Sequence, residues 1–231
     1  MHTKIQLEPA YILHSRPFRE TSLLLDVFTK EHGIVSLVSR GARSNKSKFK
    51  SLLQPFIPLI ISYQGKSELM NLTSVESTKG FMNLKGSALL SAFYLNELLL
   101  RLLQKMDPHN QLFNIYSETL VNLATNENQQ QTLRIFEKKL LQELGYGLQL
   151  GFDYVSALPI EKNDLYSFHI EKGFTLDTTK NDKSIQGEVL IALNNEKIDN
   201  KFLKPLKLLM RAALLPLLGT QELKSRELFK K

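Results

Sequence analysis

Five cations, Arg40, Arg43, Lys46, Lys48 and Lys50, fall within the twelve residues SRGARSNKSKFK (39–50), and no acidic side chain interrupts them. Guanidinium and ammonium groups at this density suit the neutralisation of a polyanion. Each cation that meets a phosphate releases condensed counterions, so affinity grows with the number of contacts and falls steeply with salt. Base sequence need not be read. Phe49 lies between Lys48 and Lys50, where an aromatic ring either stacks on an unpaired base or anchors the segment to the fold beneath it, and the sequence leaves both open.

Reactive chemistry is scarce elsewhere. No phosphate loop of the form GxxxxGK[ST] or GxGxxG occurs; GYGLQLG (145–151) has its glycines at the wrong spacing and follows a helical pattern rather than a strand. His2, His14, His32, His109 and His169 are isolated from one another and from carboxylates at ligand spacing, so no metal site is read. Cysteine is absent, which removes disulfides and thiolate metal sites and agrees with a reducing cytoplasm. No local arrangement resembles an activated nucleophile or a general-acid pair. The expectation is a protein without catalytic residues, cofactor or bound nucleotide. A membrane partner is also not expected: no run of about 18 apolar residues occurs, and MHTKIQLEPAYILHS (1–15) lacks the pattern of a secretory signal.

The elements that must position the cations follow from composition and period. The chain has 231 residues, 42% hydrophobic and 23% charged, with a net charge of +7, enough for one to three ordinary globular domains. Lys plus Arg outnumber Asp plus Glu by 11 to 6 in residues 1–80, balance at 6 to 6 in 81–150, and stand at 13 to 11 in 151–231. The surplus is N-terminal, and almost half of those eleven cations sit in the basic stretch, where concentrated charge raises local anion concentration.

Up to residue 77 the chain offers short β-rich runs: AYILHSR, TSLLLDVFT, GIVSLVSR, LQPFIPLIISY and SELMNLTSVES. KEHG (30–33) and QGK (64–66) separate two pairs of them as hairpin turns with Gly supplying φ > 0. Five closely spaced strands suggest an OB-like barrel, with the basic stretch as the long connection between strands three and four. Helical spacing follows in NLKGSALLSAFYLNELLLRLLQK (83–105), which stops at Asp107-Pro108. A second helix carries Leu112, Tyr116, Leu120 and Leu123, and a third carries Leu133, Phe136, Leu140, Leu141 and Leu144 with Gly145 as its cap. The last third is mixed: YSFHIEKGFTLD (166–177) reads as a hairpin turning at Lys172-Gly173, residues 184–193 as a short helix, and a long helix begins after the N-cap Asp199 and ends at Gly219. The fold class is α+β: an N-terminal five-stranded OB-like β-barrel, a central helical bundle, and a small mixed C-terminal lobe with a β-hairpin and a long helix. The expected domains are 1–80, 81–150 and 151–231.

These segments also resemble a family. AYILHSRPFRETSLLLDVFTKEHGIVSLVSRGAR (10–43) is similar to the opening of the RecO family of bacterial recombination and repair mediators, LRIFEKKLLQELGYGLQL (133–150) to the segment that closes its helical domain, and LPLLGTQELKSRELFKK (215–231) to its C-terminal end. The resemblance implies an OB domain that binds DNA, a helical middle, and a lobe that in many members carries a four-cysteine zinc site. This chain departs from the last point, since it has no cysteine. The lobe is therefore read as a degenerate zinc-finger-like region whose hairpin packs without metal.

What the resemblance implies for function is a non-enzymatic mediator. It would bind single- and double-stranded DNA, anneal complementary strands, and with RecR help load RecA onto DNA coated by the single-stranded DNA-binding protein SSB, in the cytoplasm and at the nucleoid during repair. The DNA surface would comprise Arg40, Arg43, Lys46, Lys48 and Lys50 with Phe49, joined by Arg16 and Arg19 from the first connection. The acidic, apolar C-terminal tail of SSB would be gripped near Leu133 and Arg134, with Lys138 one turn along. The competing class is a protein-interaction adaptor recruited by SSB or RecR, with incidental DNA contact. A nuclease has no motif behind it.

Overall fold

In the computed structural model, which describes residues 3–44, 47–78, 83–125, 128–170, 172–179 and 183–228, the first five elements are strands: β1 (Thr3–Phe18), β2 (Ser22–Thr29), β3 (Gly33–Ser39), β4 (Leu59–Gly65) and β5 (Leu69–Ser77). β1 pairs antiparallel with both β2 and β4, β2 with β3, and β4 with β5; a parallel pairing of β3 with β5 closes the barrel. One strand serves two partners because β1 is 16 residues long. Its register shifts between Ile5 and Glu8 and again between Ile12 and His14, and Leu7 takes a positive φ of 54°. Such bulges bend a strand around a barrel corner.

Alternating side chains point inward, so that Ala10 and Ile12, Leu25 and Val27, Val35 and Leu37, Leu59, Ile61 and Tyr63, and Met70 and Val75 form one buried cluster. Two sequence expectations shift here. LQPFIPLIISY starts its strand only at Leu59, because Pro55 and Pro58 cannot donate to a ladder; Leu53, Phe56 and Ile57 are buried without being strand. In QGK the chain turns over residues 66–68 instead, and Gly65 is a strand residue outside the positive-φ glycines. It is glycine for another reason: a Cβ there would lie 2.6 Å from Met70 Cγ.

The outer face of β1 and β2 meets two helices, α1 (Gly86–Leu102) and α2 (Asn110–Thr125). Tyr11 packs 5.5 Å from Phe113 and edge-on 5.2 Å from Tyr116, and Phe28 lies 5.4 Å from Phe113, ring centre to ring centre. Polar groups in this layer are matched: the Tyr116 hydroxyl donates to Asn96 Oδ1 at 2.6 Å, and Asn96 Nδ2 donates to the Leu13 carbonyl at 2.8 Å. The β2–β3 hairpin tip abuts the α1–α2 link, with Met106 N donating to Ile34 O at 3.0 Å. Gly33 has φ +64°, and a Cβ on it would come within 2.0 Å of Asp107 O. Far along the chain, the Glu97 carboxylate of α1 accepts from Lys224 N and Ser225 N, each at 2.8 Å. Those bonds cap the short α6 (Ser225–Leu228) and hold the tail on α1.

By contact the chain forms two compact units, Met1–Asn126 with Glu222–Lys231, and Glu127–Gln221. The second begins with α3 (Gln129–Glu143), whose N-cap Asn128 accepts from Gln131 N. Gly145, at φ +84°, follows the helix in the left-handed conformation common just past a C-cap. β6 (Leu165–His169) and β7 (Gly173–Leu176) form the expected hairpin, and β8 (Ile185–Gln186) adds to the other edge of β6. Then come α4 (Gly187–Asn194), a 3-10 turn (Asn200–Phe202) capped by Asp199, and α5 (Leu203–Leu218) with Pro216 near its end. Phe136, Leu140, Tyr166, Phe174, Leu190, Leu193, Leu206 and Met210 are buried. Among the described residues no helix is long and apolar enough to cross a membrane.

Two carboxylates tie this small sheet together. Asp153 accepts from Val155 N and Ser156 N at 2.8 Å with one oxygen and from Leu176 N with the other. Asp177 accepts from the Ser167 hydroxyl, from the Thr179 amide and hydroxyl, and from the Ser184 hydroxyl. Burial raises the Asp153 carboxyl, but the amides of Ser156, Leu176 and Val155 outweigh it and hold the group at about 2. Asp177 is held well below the ordinary carboxylate range by hydroxyls of Ser184, Thr179 and Ser167 and the Thr179 amide.

Candidate nucleic-acid interface

The basic stretch leaves the barrel at the end of β3. Gly41 turns the chain at φ +66°, and Ala42 is buried. Arg43 is then fastened to the β1–β2 turn: its amide donates to Thr21 O at 2.8 Å, and its Nη1 donates to Glu20 O at 3.1 Å and Arg19 O at 3.4 Å. Arg19 itself has φ 53° and stands with its guanidinium carbon 5.2 Å from the Phe18 ring centre. Arg43 and Arg19 are thus brought together by backbone contacts, and Arg19 and Arg40 line one cleft.

Lys48 and Lys50 are exposed on a turn-rich segment, Arg16 is exposed on β1 opposite Leu24, and Lys46 lies outside the described residues. Phe49 is half-buried and packs with Leu52 against the barrel core, and Leu52 N and Leu53 N both donate to its carbonyl. Of its two readings, the geometry supports the anchor. No acidic side chain pairs with Arg40, Arg43, Lys48 or Lys50 among the described residues. Backbone carbonyls hold Arg43 in place without cancelling its charge.

The residues expected to grip a peptide tail sit differently. Leu133 and Arg134 are buried, and Arg134 Nη2 lies 2.8 Å from Glu137 Oε1, one helical turn on. Arg134 Nε is buried without a hydrogen-bond partner. Lys138 reaches out of α3 to the C-terminal end of α4: its Nζ lies 2.7 Å from Glu196 Oε1 and 3.3 Å from the carbonyls of Leu193 and Asn194. These belong to the last turn of α4, whose carbonyls lack an i+4 amide within the helix; that of Leu193 also accepts from Glu196 N at 3.2 Å. Lys139 adds a contact to Glu196 at 3.1 Å; burial raises the Glu196 carboxyl, and bonds from Lys138 and Lys139 bring it below its ordinary value.

The described residues of the C-terminal lobe do not supply a zinc site. Cysteine is absent, the described residues contain no cluster of three metal-ligating side chains, and Asp153 and Asp177 are already surrounded by N–H and O–H donors. Sequence reading missed both carboxylates, and also Glu97, because their partners lie far along the chain or in irregular loops. The one local signal was the Asp177-x-Thr179 spacing, an Asx-type turn.

Residues 1–81 match the family described as Recombination protein O N terminal, and residues 84–227 match Recombination protein O C terminal. The chain is 45% identical over 230 residues to the DNA repair protein RecO of Coxiella burnetii, covering 99% of both chains. It is 43% identical to that of Nitrosococcus oceani, over 97% of this chain and 93% of the relative, and 41% identical to that of Haemophilus influenzae, over 97% and 95%. An OB-like barrel with uncompensated cations, followed by helices and a mixed lobe, is what these matches span from end to end, and the chain belongs to the recombination protein O family.

Proposed function

We propose that this protein is a non-enzymatic mediator of DNA repair and homologous recombination that binds single- and double-stranded DNA by neutralising phosphates. The observation that carries the reading is the set of exposed cations, Arg40, Arg43, Lys48 and Lys50, on one connection of a closed five-stranded barrel, without acidic partners among the described residues. A basic surface that does not read bases holds two polyanions close and screens their repulsion, which promotes annealing of complementary strands. With RecR the protein would help load RecA onto SSB-coated DNA, in the cytoplasm and at the nucleoid. By role, residues 1–80 would serve DNA, 81–150 a protein partner, and 151–231 would form the supporting lobe.

The test is the salt dependence of binding. Replacing Arg40, Arg43, Lys46, Lys48 and Lys50 together by alanine should flatten the slope of log K against log salt for duplex DNA by about 4 to 5, at roughly 0.9 per phosphate contact. An unchanged slope would remove this loop from the proposal.

The SSB tail is proposed to dock at α3 around Leu133, Arg134 and Lys138. Support comes from Arg134, whose buried guanidinium has an Nε without a hydrogen-bond partner and so retains donor capacity for a carboxylate. Arg134→Lys keeps the charge beside Glu137 but loses the planar fork. Weaker binding of a tail peptide with DNA affinity intact would separate the two surfaces, and unchanged peptide binding would remove Arg134. Annealing of bare oligonucleotides by the isolated protein at moderate salt distinguishes the mediator from an adaptor with incidental DNA contact.

A further inference from the structure

Beside the basic loop, at the end of the barrel where β1 turns into β2, a cleft of about 440 Å³ opens between that turn, the end of β3 and the start of β5. This is within the size range of small-ligand sites. Phe18, Val38 and Leu69 give it apolar surface, Asn71 an amide, Thr21 and Ser22 hydroxyls, and Arg19 and Arg40 positive charge; among the described residues no acidic side chain lines it. Its floor is paired strand, with Val38 opposite Asn71 and Phe18 opposite Ser22. One wall, the 19–21 turn, is fixed by the three bonds from Arg43. Leu69 is left 38% exposed at the rim.

The apolar side chains of this mixed cleft, Phe18, Val38 and Leu69, contribute nothing to holding a phosphate, yet they are flanked by the cations that would hold two of them. Within a duplex the faces of the bases are stacked on each other and cannot enter such a recess. An unpaired base can leave its stack at small cost. We infer that this cleft receives one unstacked base of a single strand, seated against Leu69 and Phe18, with Arg19 and Arg40 on the neighbouring phosphates. The Asn71 amide both donates and accepts, so it meets the edge of a purine or a pyrimidine without selecting either. The inference rests on the DNA-binding reading above and deepens it: the loop cations act on any phosphate backbone, and the cleft adds a contact that only unpaired DNA can make.

The full-length protein should be titrated, at one salt concentration, with an oligonucleotide of unpaired thymines, a strand of equal length in which the bases are removed, and a duplex. The base-bearing strand should bind roughly 5- to 150-fold more tightly than the baseless one, the range expected for stacking of a single base. Leu69→Ala and Asn71→Ala should each shrink that ratio; both lie on β5, but Leu69 is exposed at its first residue and Asn71 is half-buried, so agreement between the two does not depend on the fold tolerating either one. Equal binding of the two single strands by the unmodified protein, or a ratio unchanged in both variants, would overturn the base site while leaving phosphate neutralisation standing. Failure to bind any of the three at low salt would overturn both.

Discussion

The barrel connection and helix α3 both carry clusters of basic residues, and they use them in opposite ways. Arg40, Lys48 and Lys50 are exposed with no acid paired to them among the described residues, whereas Arg134, Lys138 and Lys139 are each within 3.1 Å of a glutamate oxygen. Arg43 is intermediate, oriented by carbonyls yet still exposed. Charge left unneutralised at a surface is available to a ligand. Charge paired within the fold holds α3 in place, and where the pair is buried, as at Arg134 and Glu137, the desolvation cost makes the loss of one partner severe.

That contrast can be broken by removing single partners. The largest effect should come from Glu137→Ala, which leaves Arg134 buried beside no carboxylate and should lower unfolding free energy by about 3–5 kcal/mol in a urea titration. A loss below about 1 kcal/mol would mean that Arg134 is solvated in solution. A smaller loss should appear in acid. The Asp153 carboxyl is held at about 2 against an ordinary 3.8. A depressed carboxyl contributes stability above its unfolded value, and loses it as pH falls through the folded one. Melting temperature should therefore drop between about pH 4 and pH 2, and Asp153→Asn should flatten that drop; an unchanged profile would show that these bonds do not form. Lys138→Ala should cost about 1 kcal/mol, the ordinary net value of a hydrogen-bonded contact that is partly open to water. Smallest of all, Arg40→Ala should alter stability by under about 0.5 kcal/mol while reducing the salt slope of DNA binding by about one. Should Arg40→Ala destabilise as much as Lys138→Ala, the two regions would not differ in the way described.

The strand pattern was legible in sequence because LLLDVFT and GIVSLVS are short, mostly apolar runs between turn signals, because LIISY alternates buried and half-buried residues, and because Gly33 and Gly145 occupy left-handed positions that glycine marks. The first half of β1 was not, since QLEP interrupts the apolar run and the strand is held there by pairing with β4, about 55 residues away. Cations were visible as a cluster on the barrel connection, but their neighbours were not. Whether an arginine faces water or Glu137 depends on packing, so Arg134 and Arg40 look alike on the page and differ in the fold. Asp153 and Asp177 were invisible as organising groups for the same reason. Their donors come from irregular backbone and from serines scattered between residues 156 and 184.

Glu97 bears on the order in which the molecule is made. Its partners Lys224 and Ser225 lie 127 and 128 residues downstream, so a growing chain presents the barrel, α1 and α2 long before the segment that covers α1 exists. At the usual rate of about 5–20 residues per second, that interval is on the order of 6–25 s. During it the nascent protein carries its basic loop on an unfinished unit, with the Glu97 carboxylate still waiting for the amides of Lys224 and Ser225.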